Sequence, residues 1–210
     1  MTDDRDWELV RRCLGGDTEA FEALVRPHEA RLYNLCLRMS GSPTDSADLL
    51  QDVLLRAFVG LKGFRRDAQF GTWLYRIAAN ACLDWNRRRR GRVVSLDATE
   101  RDLPLTEVLS DPTAGPEELA LRRERAAQLS AALGQMSAEH RLVLLLRDVH
   151  GLSYEDIATA ARVNLGTVKS RLARARQELR RRLSSSELFA ALNVKLEQKE
   201  ERRGLQQGRR

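Results

Sequence analysis

Apolar residues recur along this chain at steps of three and four, and no stretch shows convincing alternation with a period of two. Steps of three and four stack side chains on one face of a helix, whereas a strand alternates. The pattern predicts an all-α fold. A first short helix covers Asp4–Leu14 and ends at Gly15-Gly16, and Asp17 can N-cap the next. There Phe21, Leu24, Val25, Leu32, Leu35 and Met39 form the apolar stripe, and Pro27 predicts a kink. Gly41-Ser42-Pro43 breaks the chain. A third helix, from about Asp45 to Lys62, buries Leu50, Val53, Leu54, Ala57, Phe58 and Leu61. Its other face carries Asp48, Gln51, Asp52 and Arg56. After a loop from Gly63 to Gly71, a fourth helix from Thr72 to about Arg89 carries Trp73, Ile77, Ala81 and Trp85.

The pattern then lapses. Residues 93–116 hold Pro104, Pro112 and Pro116 and the acids Asp97, Glu100, Asp102, Glu107 and Asp111, and read as a flexible linker. Two small helical domains, 1–92 and 117–183, flank it, and 184–210 is an extension. In the second domain Pro116 fits a first helical turn, followed by a stripe of Leu119, Ala126, Leu129 and Leu133. Ser137 can cap a helix whose core face includes Leu142, Val143, Leu145, Leu146 and Val149.

Ser153-Tyr154-Glu155-Asp156 resembles a capping box, and Ile157, Ala158 and Ala161 follow it on a short helix. Asn164 is a good cap for the next helix, where Val168, Leu172, Ala175 and Leu179 face inward. Its opposite face carries Thr167, Lys169, Ser170, Arg171, Arg174 and Arg176. Two helices joined tightly, the second basic and capped, match a helix-turn-helix that reads duplex DNA in the major groove. Arginine can grip a guanine edge with two hydrogen bonds, and Lys, Ser or Thr can hold phosphates. The alternative is an amphipathic helix with a solvated basic face. In the turn, Arg162 stands where glycine is common and would need a left-handed backbone.

A net charge of +6 and a pI near 9.7 favour a polyanionic partner. No apolar run approaches the roughly 20 residues of a membrane helix, and MTDDRDWELV is not a secretory leader, so a cytoplasmic location is expected. Cys13, Cys36 and Cys82 lack metal-ligand or disulfide spacing. His28, His140 and His150 lack catalytic spacing, and no phosphate-binding glycine loop or nucleophile motif occurs. No cofactor and no catalysis are expected.

Six of the eleven aromatic residues fall between Phe58 and Trp85. In the stretch from Phe64 to Arg76, Phe64, Arg65, Phe70, Trp73 and Arg76 interleave rings with guanidiniums, and Asn80 carries an amide that can read a base edge. Such a surface can stack and hold unpaired bases, at about 1–3 kcal/mol per stacked base. Equally, Phe70, Trp73 and Ile77 can be plain core.

The two halves together resemble one family, the bacterial RNA polymerase sigma factors of the extracytoplasmic-function type (sigma-70 family, group 4). The strings that carry the resemblance are Asp48-Leu-Leu-Gln-Asp-Val-Leu-Leu-Arg56 and Phe70-Gly-Thr-Trp-Leu-Tyr-Arg-Ile-Ala-Ala-Asn80 in the first half. In the second they are His140-Arg-Leu-Val-Leu-Leu-Leu-Arg147, Gly151-Leu-Ser-Tyr-Glu-Asp-Ile-Ala158 and Gly166-Thr-Val-Lys-Ser-Arg-Leu-Ala-Arg-Ala-Arg176. The resemblance implies that Asp48, Gln51, Asp52, Leu55 and Arg56 bind the clamp helices of the largest polymerase subunit, with the flap of the second-largest as a further contact. It implies that Phe64, Arg65, Phe70, Trp73, Arg76 and Asn80 read the melted minus-ten element. It makes Thr167, Lys169, Ser170, Arg171, Arg174 and Arg176 the readers of the minus-thirty-five duplex. It also implies promoter melting and an anti-sigma partner. Arg66 and Ala161-Arg162 depart from the family's pattern, as does the tail, where Leu188, Leu192 and Leu196 form a stripe at steps of four or belong to a frayed polar end.

Overall fold

The computed structural model describes residues 2–65, 68–92 and 115–183. The linker residues 93–114, Arg66 and the 184–210 tail lie outside the described residues. Among those described there are helices and no strand. The first half contains α1 (Thr2–Leu14), α2 (Thr18–Ser40), α3 (Pro43–Gly60), a 3-10 turn (Leu61–Gly63) and α4 (Phe70–Arg92). The second contains α5 (Pro116–Gly134), α6 (Ala138–Leu144), a π-helical turn (Leu145–Val149), α7 (Tyr154–Ala161) and α8 (Leu165–Leu183).

Local chemistry sets most helix ends. Asp17 accepts from the Ala20 amide at 3.1 Å and caps α2. Ser42 caps α3 ahead of Pro43 at its first turn. Ser137 and Ser153 cap α6 and α7, and Asn164 Oδ1 accepts from the Thr167 amide at 2.7 Å at the head of α8. Each cap satisfies an amide that the helix itself cannot. Pro27 lies inside a continuous α2.

Three apolar positions leave the predicted core. Leu119 is 38% exposed, in the first turns of α5 ahead of the stretch from Ala126 onward that the helix buries. Val149 is 47% exposed. The helix that begins as α6 closes its last turn with a bond from the His150 amide to the Leu145 carbonyl, five residues back. One extra residue in the turn swings those beyond it by about 100°, so Val149 turns out. Phe58 is 45% exposed. It sits about 100° round α3 from Ala57, at the edge of the stripe, and rests edge-on against Phe21 with ring centroids 5.1 Å apart.

The two halves pack against each other. α4 lies between α2 and α3 on one side and α7 on the other, and α2 also meets α5 and α6. A single apolar cluster runs from Val10 through Leu32, Leu74 and Ala79 to Leu145, Ile157 and Leu172. Arg141, itself buried, reaches across the seam: its Nη1 donates to the Met39 carbonyl at 3.0 Å, while Nη2 donates to Gly134 and Met136. Those carbonyls lie at or just beyond the C-terminal ends of α2 and α5, where the helix dipole favours a cation. Gly71 marks a second close approach. A Cβ there would stand 2.9 Å from His28 Cε1 on α2.

Between α7 and α8, Arg162 adopts φ +53°, ψ +46°. The Val163 amide donates to the Ala158 carbonyl at 3.0 Å, and the Arg162 amide to Thr159. This is the Schellman turn, which normally takes glycine because a Cβ is strained there by roughly 1–2 kcal/mol. Arg162→Gly is expected to stabilise the protein by about 0.5–1 kcal/mol, the unfolded chain's extra freedom offsetting part of the relief. Urea unfolding checks this, and an unchanged or lower midpoint would show that the arginine side chain compensates the strain.

Candidate nucleic-acid interface

The outer face of α8 is free of the core. Val168, Leu172 and Ala175 are buried, while Lys169, Ser170 and Arg174 are exposed and Arg171 is half-exposed. Thr167 is drawn into the cap, its hydroxyl donating to Asn164 Oδ1 at 2.8 Å. The geometry thus presents a basic strip at the N-terminal half of a capped helix, where the dipole also favours phosphate. Arg176 is different. Its guanidinium grips Asp148 from the π turn, with Nη2 to Oδ1 at 2.8 Å and Nε to Oδ2 at 3.2 Å.

The aromatic residues of the first half divide. Phe64, Phe70 and Trp73 are buried against one another, with centroids 5.4 to 5.7 Å apart, and Trp7 completes the group. In this arrangement their rings make core contacts. Arg65 is exposed, and Arg76 and Asn80 are half-exposed on α4. The Asn80 amide donates to the Arg76 carbonyl at 2.6 Å, which leaves its oxygen directed away from that bond.

On α3, Asp48, Gln51 and Leu55 stand out in solvent, and Asp52 and Arg56 are half-exposed. Leu55 at 63% and Val59 at 69% exposed give this face an apolar strip beside its charges. Arg56 is held between Asp52 at 2.7 Å and Asp84 of α4 at 3.3 Å, which ties the two helices together. The sequence reading missed Val59, because a stripe template looks for apolar residues facing inward.

Residues 24–92 match the family model for Sigma-70 region 2, and 126–179 match that for Sigma-70, region 4. The chain is 36% identical to the RNA polymerase sigma-H factor of Pseudomonas aeruginosa over 182 residues, 85% of this chain and 94% of that one. It is 37% identical to the ECF RNA polymerase sigma factor SigM of Mycobacterium tuberculosis over 180 residues, 85% and 84% of the two chains. This chain belongs to the extracytoplasmic-function sigma factors. It is therefore a subunit that directs RNA polymerase to promoters. Two solved structures are similar at a TM-score of 0.62 and 25% identity. One is the sigma factor RpoE in complex with the anti-sigma factor NepR from Bartonella quintana, covering 80% of this chain and 98% of that chain. The other is CnrH in complex with the cytosolic domain of CnrY, covering 87% and 99%.

In this sigma factor the α4 face that meets the second half carries a titratable contact. Tyr75 Oη and His150 Nδ1 share a hydrogen bond of 2.9 Å. Burial, then the nearby Arg38 and Arg31, push the His150 ring down to about 4 from 6.5. Burial likewise keeps Tyr75 protonated. A protonated His150 would be a third cation beside two arginines. The stability gained from a neutral His150 is full above about 6.5 and is lost as the pH falls toward about 4. The loss is at most about 3 kcal/mol, reduced by the ring's partial hydration. His28, also lowered by burial, adds to the slope in the same direction. Unfolding free energies measured between pH 7 and 4.5 should therefore fall more steeply for the wild type than for His150→Gln, and equal slopes would remove His150 from the account.

Proposed function

We propose that this sigma factor binds core RNA polymerase through the outer face of α3 and reads promoter DNA at two places. Asp48, Gln51, Asp52, Leu55 and Arg56 meet the clamp helices of the largest subunit, and the second half meets the flap of the second-largest. Arg65, Arg76 and Asn80 contact the minus-ten element as it melts, with Phe64, Phe70 and Trp73 shaping the pocket from behind. Thr167, Lys169, Ser170, Arg171 and Arg174 approach the minus-thirty-five duplex. Residues 1–92 and 117–183 act as the two reading domains, 93–116 as the acidic linker and 184–210 as an extension. The protein works in the cytoplasm, without a cofactor and without catalysis of its own. An anti-sigma protein is its regulatory partner, a reading supported by its likeness to a sigma factor solved with the anti-sigma factor NepR.

One observation carries the reading: α8 leaves Lys169, Ser170 and Arg174 uncovered while burying its opposite face. Melting follows from the chemistry of α4. A base hydrogen-bonded to the Asn80 amide and held beside Arg65 and Arg76 would offset part of the few kcal/mol of unstacking. The seam between the halves holds the two readers together, so polymerase has to part it and set their separation along DNA. The free protein is therefore expected to bind promoter duplex weakly. A tight, specific footprint without polymerase would instead mark a stand-alone helix-turn-helix regulator.

Run-off transcription with core polymerase tests the whole reading, and failure to initiate at any genomic promoter with folded protein would sink it. Leu55→Asp, at an exposed position, should weaken co-purification with core polymerase at least tenfold while leaving the melting temperature within a few degrees. Arg171→Ala should reduce dependence on the minus-thirty-five element with core binding intact. Asn80→Ala should lower open-complex yield more than closed-complex yield, and an unchanged open-complex yield on linear template would remove Asn80 from the pocket.

A further inference from the structure

We infer that Arg176 does not read DNA but positions the helix that does, through its clasp on Asp148. The inference rests on α8 being the duplex reader. In the sequence Arg176 belongs to the same basic run as Lys169, Arg171 and Arg174. Helical geometry separates it from them. Arg176 follows the fully buried Ala175, and its side chain is 26% exposed against 14% for Asp148. The two meet side-on, by Nη2 and Nε, in the forked geometry that fixes orientation as well as distance.

Asp148 can face α8 because of the π turn. The wide turn at Leu145–Val149 sends Val149 outward and leaves Asp148 half-buried. Next along α8, Glu178 accepts from His140 Nδ1 at 2.9 Å and from Arg182 at 2.8 Å. Arg182 in turn donates to the Gln135 side chain at 2.7 Å and to its carbonyl. Hydrogen bonding from Arg182, then His140, holds the Glu178 carboxyl below the usual range. The C-terminal half of α8 is thus anchored at two successive points, to the π turn and to the α5–α6 corner. Its N-terminal half carries the exposed Lys169, Ser170 and Arg174. A helix clasped at one end presents the other at a fixed rotation about its axis. Losing the Asp148 clasp would let that rotation drift, and a base contact is sensitive to the drift where a phosphate contact is less so.

The test uses holoenzyme assembled from core polymerase and the full chain, on a promoter recovered by run-off transcription. Asp148→Asn removes no phosphate contact, since a carboxylate repels phosphate, and the Asp148 side chain is only 14% exposed with both oxygens already engaged by Arg176. It should nevertheless lower minus-thirty-five-dependent initiation about tenfold, as Arg176→Gln should, and the double variant should be no worse than either. Transcription from a pre-opened bubble template, which needs no minus-thirty-five reading, should stay unchanged. The slope of log affinity against log salt should also stay unchanged for Arg176→Gln, whereas loss of a phosphate contact lowers it by about one. Loss of function in Arg176→Gln with normal Asp148→Asn, or a slope lowered by about one, overturns the proposal. If Asp148→Asn fails to fold, the Arg176→Gln salt slope decides alone. Arg174→Ala separates the two layers of the argument. If it abolishes minus-thirty-five dependence while both clasp variants behave as wild type, only the clasp is wrong. If it changes nothing, α8 is not the reader and the clasp proposal falls with it.

Discussion

Burial of α4 on both sides is the constraint from which the rest of the architecture follows. One side of the helix packs on α2 and α3, the other on α7. Its run of Ala78, Ala79 and Ala81, all within 1% of full burial, has no side-chain bulk to hold neighbouring helices apart. A two-sided helix of this kind cannot be solvated when its partner leaves without exposing apolar surface, at about 25 cal/mol per Å². The seam is therefore an energetic store as well as a contact. If polymerase parts this seam as proposed, polymerase and DNA have to supply contacts that replace it, and the weak duplex binding expected of the free protein would follow.

The polar contacts at that seam are matched to this role. Arg141 joins the ends of α2 and α5 by donating only to carbonyls in the bonds described, and Tyr75 meets a histidine held neutral by its surroundings. Such groups pair only in part when closed, since His150 Nε2 is buried without a hydrogen-bond partner among the described residues, and water can satisfy them when open. An apolar seam alone would favour closure without specifying its register, whereas buried donors fix which carbonyl lies opposite which guanidinium.

What could be read from the sequence was whatever is decided within four residues. The caps at Asp17, Ser137, Ser153 and Asn164, and the left-handed Arg162, depend on neighbours in the chain and stand as predicted. The inner face of α8 was legible for the same reason. The π turn was not, because a five-residue bond is chosen by the tertiary surroundings, and it reversed the prediction for Val149. Tyr75 and His150 lie 75 residues apart, and Arg176 and Asp148 lie 28 apart, distances at which periodicity is silent. The aromatic segment was ambiguous on physical grounds. A ring that stacks on a base and a ring that fills a core have the same spacing, and only burial distinguishes Phe64 and Trp73 from Arg65.

The same reasoning changes what a basic helix means. Arginine content in α8 measures attraction to DNA only if every guanidinium faces outward, and at least Arg176 and Arg182 do not, since they point back to acids and carbonyls of the same half of the chain. Exposed ion pairs contribute from almost nothing to about 1 kcal/mol. These are partly buried, with side chains 26% exposed, and each guanidinium donates more than one bond, so they fix geometry more than a surface pair could. On the proposed reading, residues such as Arg174 supply charge to the groove, and residues such as Arg176 supply the angle at which that charge arrives. A duplex reader needs both, because a base edge is recognised over tenths of an ångström while a phosphate is attracted over the Debye length of about 8–10 Å.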